Sequence, residues 1–180
     1  MRAFLAVELP DNVRDALVAF QSRLPVGRPV AAENLHLTLS FLDDQPEERL
    51  EELHYELEGL TVRPFDVAFD GWSWFGGARP RLIHAALAAN PDLTDLHAAV
   101  TRAARRVGIR LERRKYVPHV TLARLGAQAP GDARARLDRL MAELPDPFLP
   151  GFTVTGVALY QSNLLPQGAR YEVLARYPFM

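Results

Sequence analysis

Two tetrapeptides in this chain of 180 residues share one pattern, His36-Leu37-Thr38-Leu39 and His119-Val120-Thr121-Leu122, and they lie 83 residues apart. On a β-strand, side chains at i and i+2 project from one face about 6.6 Å apart, so each histidine faces the same way as its threonine while the aliphatic residues face the opposite way. Each copy offers an imidazole and a hydroxyl. Cleaving a phosphodiester without a metal takes a base to activate the nucleophile, an acid to protonate the departing oxygen, and donors to hold the non-bridging oxygens as charge builds. Two histidines and two threonines can fill those roles. With an unperturbed pKa of about 6.5, one imidazole can be neutral near pH 7 while its partner is protonated. The repeat therefore predicts one shared phosphodiester site, built without a cofactor and without a metal, provided that folding sets the two copies face to face.

The elements that must do this are legible in outline. Arg2 to Leu9 reads as a strand, and Pro10-Asp11 then starts a helix carrying Val13, Ala16, Leu17, Phe20 and Leu24. A loop over Pro25 to Ala32 leads to a strand over Leu35 to Leu42, a helix from Pro46 to about Gly59, and a third strand over Phe65 to Trp74. The second half repeats the order: a strand at Arg81 to Ala88, a helix from about Asp92 to Val107 stopped by Gly108, a strand near Tyr116 to Leu125, and a helix from about Gly131 to Leu144. Strands at Phe152 to Gln161 and Tyr171 to Tyr177, joined through the turn Leu165-Pro166-Gln167-Gly168, complete the count. The midpoint Gly76-Gly77-Ala78-Arg79-Pro80 is too short for a flexible domain linker. This pattern predicts an α+β protein of two βαβ-like halves, two lobes sharing one cleft. Residues 1–180 are expected to form one bilobal domain whose lobes interleave around that cleft.

Composition narrows the chemistry further. With 48% hydrophobic and 24% charged residues, the chain is a folded protein of one compact body. Its 21 basic and 22 acidic residues leave no global positive field, so any nucleic-acid contact must be local. The absence of cysteine excludes disulfides, thiol nucleophiles and zinc–thiolate sites. No Gly-rich phosphate loop or Walker-type lysine motif appears, which disfavours nucleoside-triphosphate hydrolysis. The first ten residues lack the features of a signal peptide, and the longest uncharged run, Pro147 to Ala169, is broken by proline, glycine and polar residues, so a cytoplasmic protein without a membrane span is expected.

Around the motifs, Arg113-Arg114-Lys115-Tyr116 combines charge with an aromatic ring that can grip phosphate and stack a base, which makes Arg114 and Tyr116 candidate substrate-binding residues. Arg124 is another candidate, yet plain alternation puts it on the face opposite His119, so it reaches a phosphate only if the strand bulges or ends there. Phe4 is placed between a cleft-lining role and ordinary core packing. His54, His84 and His97 are read as structural or surface residues, and Trp72, Trp74 and Phe75 as mainly core or lobe packing.

The run Glu33-Asn34-Leu35-His36-Leu37-Thr38-Leu39, Arg79-Pro80-Arg81, Pro118-His119-Val120-Thr121-Leu122-Ala123-Arg124, the opening Arg2-Ala3-Phe4-Leu5-Ala6-Val7 and the closing Leu159-Tyr160-Gln161-Ser162 with Tyr171-Glu172-Val173-Leu174 resemble the two-histidine (2H) phosphoesterase superfamily. Within it, the chain resembles the RNA 2',3'-cyclic phosphodiesterases, also called 2'-5' RNA ligases. The resemblance implies a duplicated bilobal α+β fold of βαβ type, with two antiparallel-rich sheets flanking a central cleft and helices outside, and metal-independent opening of a 2',3'-cyclic phosphate to a 2'-phosphate. It also implies, in some members, ATP-independent joining of RNA ends through a 2'-5' linkage. Carried onto this sequence, His119 is expected to act as the base and His36 as the acid, with the reverse assignment open, and Thr38 and Thr121 to hold phosphate oxygens. RNA ends or nucleotides with a 2',3'-cyclic phosphate are the expected partners, and a monomer is expected to hold a complete site. A non-catalytic nucleotide- or RNA-binding module is the rival reading. Two departures from the family pattern stand out: Asp43 follows Phe41-Leu42 where glycine is usual, and His84 stands where a large hydrophobic residue is commoner.

Overall fold

A computed structural model describes all residues, Met1–Met180. The elements follow the order β1 (Arg2–Glu8), α1 (Asp11–Gln21), β2 (Arg28–Pro29), a 3₁₀ turn (Ala32–Asn34), β3 (His36–Asp44), α2 (Glu47–Glu58), β4 (Phe65–Val67), β5 (Phe69–Phe75), β6 (Leu82–Leu87), α3 (Pro91–Arg106), β7 (His119–Arg124), α4 (Ala133–Glu143), β8 (Phe152–Val154), β9 (Gly156–Leu165) and β10 (Gly168–Pro178). No helix is long and apolar enough to cross a membrane.

The strands are antiparallel and ordered β10-β9-β1-β3-β7-β6-β5, with β2 also pairing β7, while β4 and β8 form a separate small ladder. Two half-sheets are recognisable, β10-β9-β1-β3 and β7-β6-β5. They meet at one cross-strand pair, Leu37 with Val120, so the two sheets expected from the sequence form one ladder with a thin seam. The chain also interleaves the halves. Strand β5 follows β4 in the first half but pairs with β6, and β9 follows β8 in the second half but pairs with β1.

That exchange explains why two expected strands are broken. The run from Phe65 to Trp74 splits at Ala68, where the chain leaves β8 for β6, and the run from Phe152 to Gln161 splits at Thr155, where it leaves β4 for β1 and β10. Apolar alternation runs on through Ala68, from Phe65 and Val67 to Phe69, whereas at Thr155 it slips by one residue, from Phe152 and Val154 to Val157 and Leu159. The midpoint Gly76-Gly77 forms the tight β5–β6 connection: Gly76 sits at φ 109°, and a Cβ there would clash with the Arg79 carbonyl oxygen.

Helices supply the cover that fixes the seam. Val13, Leu17 and Phe20 of α1, Leu50, Leu53 and Leu57 of α2, Leu93, Leu96 and Val100 of α3, and Leu137 and Leu140 of α4 are buried in one continuous core. Leu37, Leu39, Val120 and Leu122 join the same core. Burying a leucine or valine side chain contributes about 1.5–3 kcal/mol, so the aliphatic half of each motif holds its strand with the His–Thr half turned outward. Asn90 caps α3 by accepting the Leu93 amide at 3.1 Å, with Pro91 in the first turn.

Candidate active site

Strands β3 and β7 run antiparallel through the Leu37–Val120 pair, and one step outward from it leads to His36 and Thr121 on one side and to Thr38 and His119 on the other. All four side chains occupy the face opposite the buried aliphatics, and all four are half-buried. The sequence repeat is thereby brought together at the seam.

Both imidazoles are oriented by the same device. His36 Nδ1 lies 2.6 Å from the Asn34 carbonyl oxygen and His119 Nδ1 lies 2.7 Å from the Val117 carbonyl oxygen, in each case two residues upstream. A carbonyl only accepts, so each Nδ1 carries the proton and each Nε2 keeps its lone pair. The Asn34 side chain donates to the Ala169 carbonyl at 2.8 Å, which ties this anchor to β10. At Nε2 the histidines differ: that of His36 is 2.8 Å from the Thr38 hydroxyl, whereas that of His119 has no protein partner.

Burial lowers both pKa values, that of His36 to about 4, with Arg124 acting in the same direction on both rings and His119 acting on His36. His36 is therefore neutral at pH 7 in the free protein.

Arg124 reaches this site through a bulge. Opposite β6, Ala123 pairs with Ile83 and Thr121 with His84, so Leu122 is an extra residue that inverts the alternation. Arg124, paired with Leu82, then returns to the His119 face, which meets the condition set by the sequence. Gln21 of α1 secures the bulge by donating to the Leu122 carbonyl at 2.8 Å, an oxygen that also accepts the Val30 amide at 2.9 Å. Strand β3 does the same one motif earlier. Opposite β1, Leu5 pairs with Ser40 and Ala6 with Thr38, so Leu39 is the extra residue and Phe41 returns to the His36 face, 61% exposed. A second shift on β3 falls between Phe41 and Asp43, and Asp43 adopts φ 56°, a left-handed conformation that suits glycine, the residue usual there in the resembling family.

The other predicted contacts fall unequally. Phe4 is 3% exposed, yet its ring lies 4.9 Å from that of His36 and stacks on Tyr160 at 5.0 Å, with Tyr171 edge-on at 4.9 Å. It is packed, and it forms the wall against which His36 rests. Tyr116 is a brace rather than the free base-stacking platform expected: one ring face is stacked on His97 at 3.9 Å, and its hydroxyl donates to the Thr38 carbonyl at 2.9 Å. Arg114 is exposed, with its guanidinium on Glu112 at 2.8 Å, and no contact ties it to either histidine. The segment preceding β7 thus supplies a prop for β3 where its charge pattern suggested a phosphate grip.

Reading the sequence missed two side chains on the His119 side. Phe75 stands edge-on to His119 at 5.1 Å, and His84 lies 5.2 Å from it, both on strands that alternation places beside the second motif. His84 carried two signals: it stands where a large hydrophobic residue is commoner in the resembling family, and it is in phase with Leu82 and Ala86 on the strand next to β7. His54 and His97 keep the structural roles expected, His54 bonding Tyr177 at 2.9 Å. Trp72 is buried and donates to the Leu144 carbonyl at 2.8 Å. A pocket of about 580 Å³ lined by Arg2, Asp44, Asn163 and Arg170 lies at the β1–β9–β10 end and includes neither histidine.

The chain is similar to known proteins over nearly its whole length. An RNA 2',3'-cyclic phosphodiesterase of Thermus thermophilus is 35% identical over 98% of this chain and 89% of its own length. One of Escherichia coli is 31% identical over 98% of this chain and 95% of its own. The crystal structure of E. coli LigT complexed with 3'-AMP superposes with a TM-score of 0.79 at 26% identity, covering 99% of this chain and 97% of that one. The family description that matches residues 9–164 is the 2'-5' RNA ligase superfamily, and the chain belongs to that family.

Proposed function

We propose that this chain hydrolyses a terminal 2',3'-cyclic phosphate on RNA or a nucleotide to a 2'-phosphomonoester, with His119 as general base and His36 as general acid. The observation that carries the reading is the matched anchoring of two imidazoles by their Nδ1 atoms on strands joined at Leu37–Val120, which leaves both Nε2 atoms on one face. Relatives that bear this activity in their names span nearly the whole chain. The roles follow from the difference at Nε2. His119 Nε2 has no protein partner and is free to take a proton from water, whose oxygen attacks phosphorus opposite O3'. The P–O3' bond breaks as His36 delivers a proton to O3', and Thr38 and Thr121 hold the non-bridging oxygens. The anionic phosphate favours the imidazolium and raises the His36 pKa from about 4 on binding. Arg124, on the same face, adds positive charge for the phosphate.

Both histidines come from one chain, so a monomer holds the complete site, and residues 1–180 act as one bilobal unit. The test is incubation of an oligoribonucleotide bearing a 2',3'-cyclic phosphate with the protein in excess chelator, with products resolved by electrophoresis. The 2'-phosphate is the expected main product. No turnover, turnover that requires added metal, or mainly 2'-5'-joined product would overturn the proposal.

A further inference from the structure

Directly opposite Thr121 on β6 stands His84. Facing residues of an antiparallel pair share a face with Cβ atoms about 4.5–5.5 Å apart, so His84 projects beside Thr121 and His119. Its ring stacks on Phe75 at 4.2 Å and lies 5.2 Å from that of His119. The residue is only 5% exposed, its Nδ1 is buried without a hydrogen bond, and the Ala85 backbone beside the ring favours the protonated form, an influence that burial and His119 outweigh. With the proton on Nε2, the tautomer that leaves no unpaired N–H buried at Nδ1, the ring has an N–H to donate.

An apolar side chain would fill the same volume against Phe75 without an unpaired buried nitrogen, so packing alone gives no reason for an imidazole here. The first half supplies the contrast: the residue opposite Thr38 is Ala6, which has no polar side chain.

We propose that His84 is a third imidazole of the site, whose Nε2–H donates to a non-bridging oxygen of the phosphate held at Thr121. The inference rests on the phosphodiesterase reading for the identity of the anion. Burial, reinforced by His119, pushes the His84 pKa down to about 4, so the ring stays neutral at pH 7 and acts as a fixed donor, not as a second acid.

The experiment is calorimetric titration of inorganic phosphate into the wild type, His84→Phe and His84→Gln at pH 7, alongside turnover of a 2',3'-cyclic nucleotide and thermal melting. Loss of a hydrogen bond to a charged group predicts phosphate binding about tenfold weaker in His84→Phe, and an affinity within about threefold of wild type in His84→Gln, which keeps a neutral N–H. His84→Leu replaces the phenylalanine variant if melting shows that the latter does not fold. Equal phosphate affinity in wild type and the apolar variant, an equal loss in His84→Gln, or no phosphate binding by the wild type overturns the proposal. Wild-type protein that binds phosphate but fails to turn over the cyclic ester defeats the phosphodiesterase reading instead, and the affinities still decide His84.

Discussion

The two halves of the molecule use the same framework to hold unlike surroundings. In both, a His-x-Thr strand bulges at the residue after the threonine, and in both the histidine fixes its Nδ1 on a carbonyl two residues back. Around the first histidine the neighbours are Phe4, Tyr160 and Tyr171, with Phe41 beside Phe4 and Ala6 opposite the threonine. Around the second they are Phe75, His84 and Arg124, the bulge delivering an arginine where the first half has a phenylalanine. Repetition aligns the two imidazoles, and divergence makes one half an aromatic wall and the other a polar, cationic one. A site built from equal halves could not distinguish acid from base; this one can.

Removing either imidazole should have the largest effect. His36→Ala and His119→Ala are each expected to lower kcat/KM for a 2',3'-cyclic nucleotide by at least about a hundredfold, and the double variant by little more than the worse single one, because the two act as a unit. Steady-state kinetics on variants with wild-type melting behaviour checks this. A fully multiplicative loss would mean that the halves work independently.

A smaller effect separates the halves at the residues that follow the bulges. Arg124→Ala should weaken competitive inhibition by inorganic phosphate about tenfold, whereas Phe41→Ala should leave phosphate inhibition within about twofold and raise KM several-fold for nucleotide substrates, whose bases an exposed ring can stack. Inhibition constants for phosphate, measured on both variants, make the comparison. Equal effects on phosphate would erase the contrast drawn between the two walls.

Acid should expose the histidines through stability. The depressed pKa values of His36 and His84 mean that the unfolded chain binds protons, from about pH 6.5 downward, that the folded chain refuses until about pH 4. The stability these neutral rings represent is therefore present above about pH 6.5 and is lost as pH falls toward 4. Denaturant unfolding at pH 7 and pH 5 should show a decline that is smaller in His84→Phe. An unchanged slope would place the His84 pKa near its ordinary value.

How much of this was legible follows from what periodicity encodes. The His–Thr pairs, their strands and their buried partners Leu37, Leu39, Val120 and Leu122 could be read, because alternation links side-chain type to face. Arg124 could be read only conditionally, since the bulge at Leu122 depends on Gln21 of α1 and on the β6 register, both distant in sequence. Tyr116 was misleading because its surroundings come from His97 on another element and from the Thr38 backbone. His84 was passed over for the same reason: its meaning lies in facing Thr121, and pairing between strands is set by the whole fold.

The central claim is that both imidazoles serve one phosphate. ¹⁵N NMR of the histidine rings during titration with inorganic phosphate tests it most directly. The prediction is that the His36 and His119 resonances, starting as Nδ1–H tautomers, move together along one isotherm with a single Kd. Movement of only one ring, or two distinct affinities, would show that the halves do not share a site.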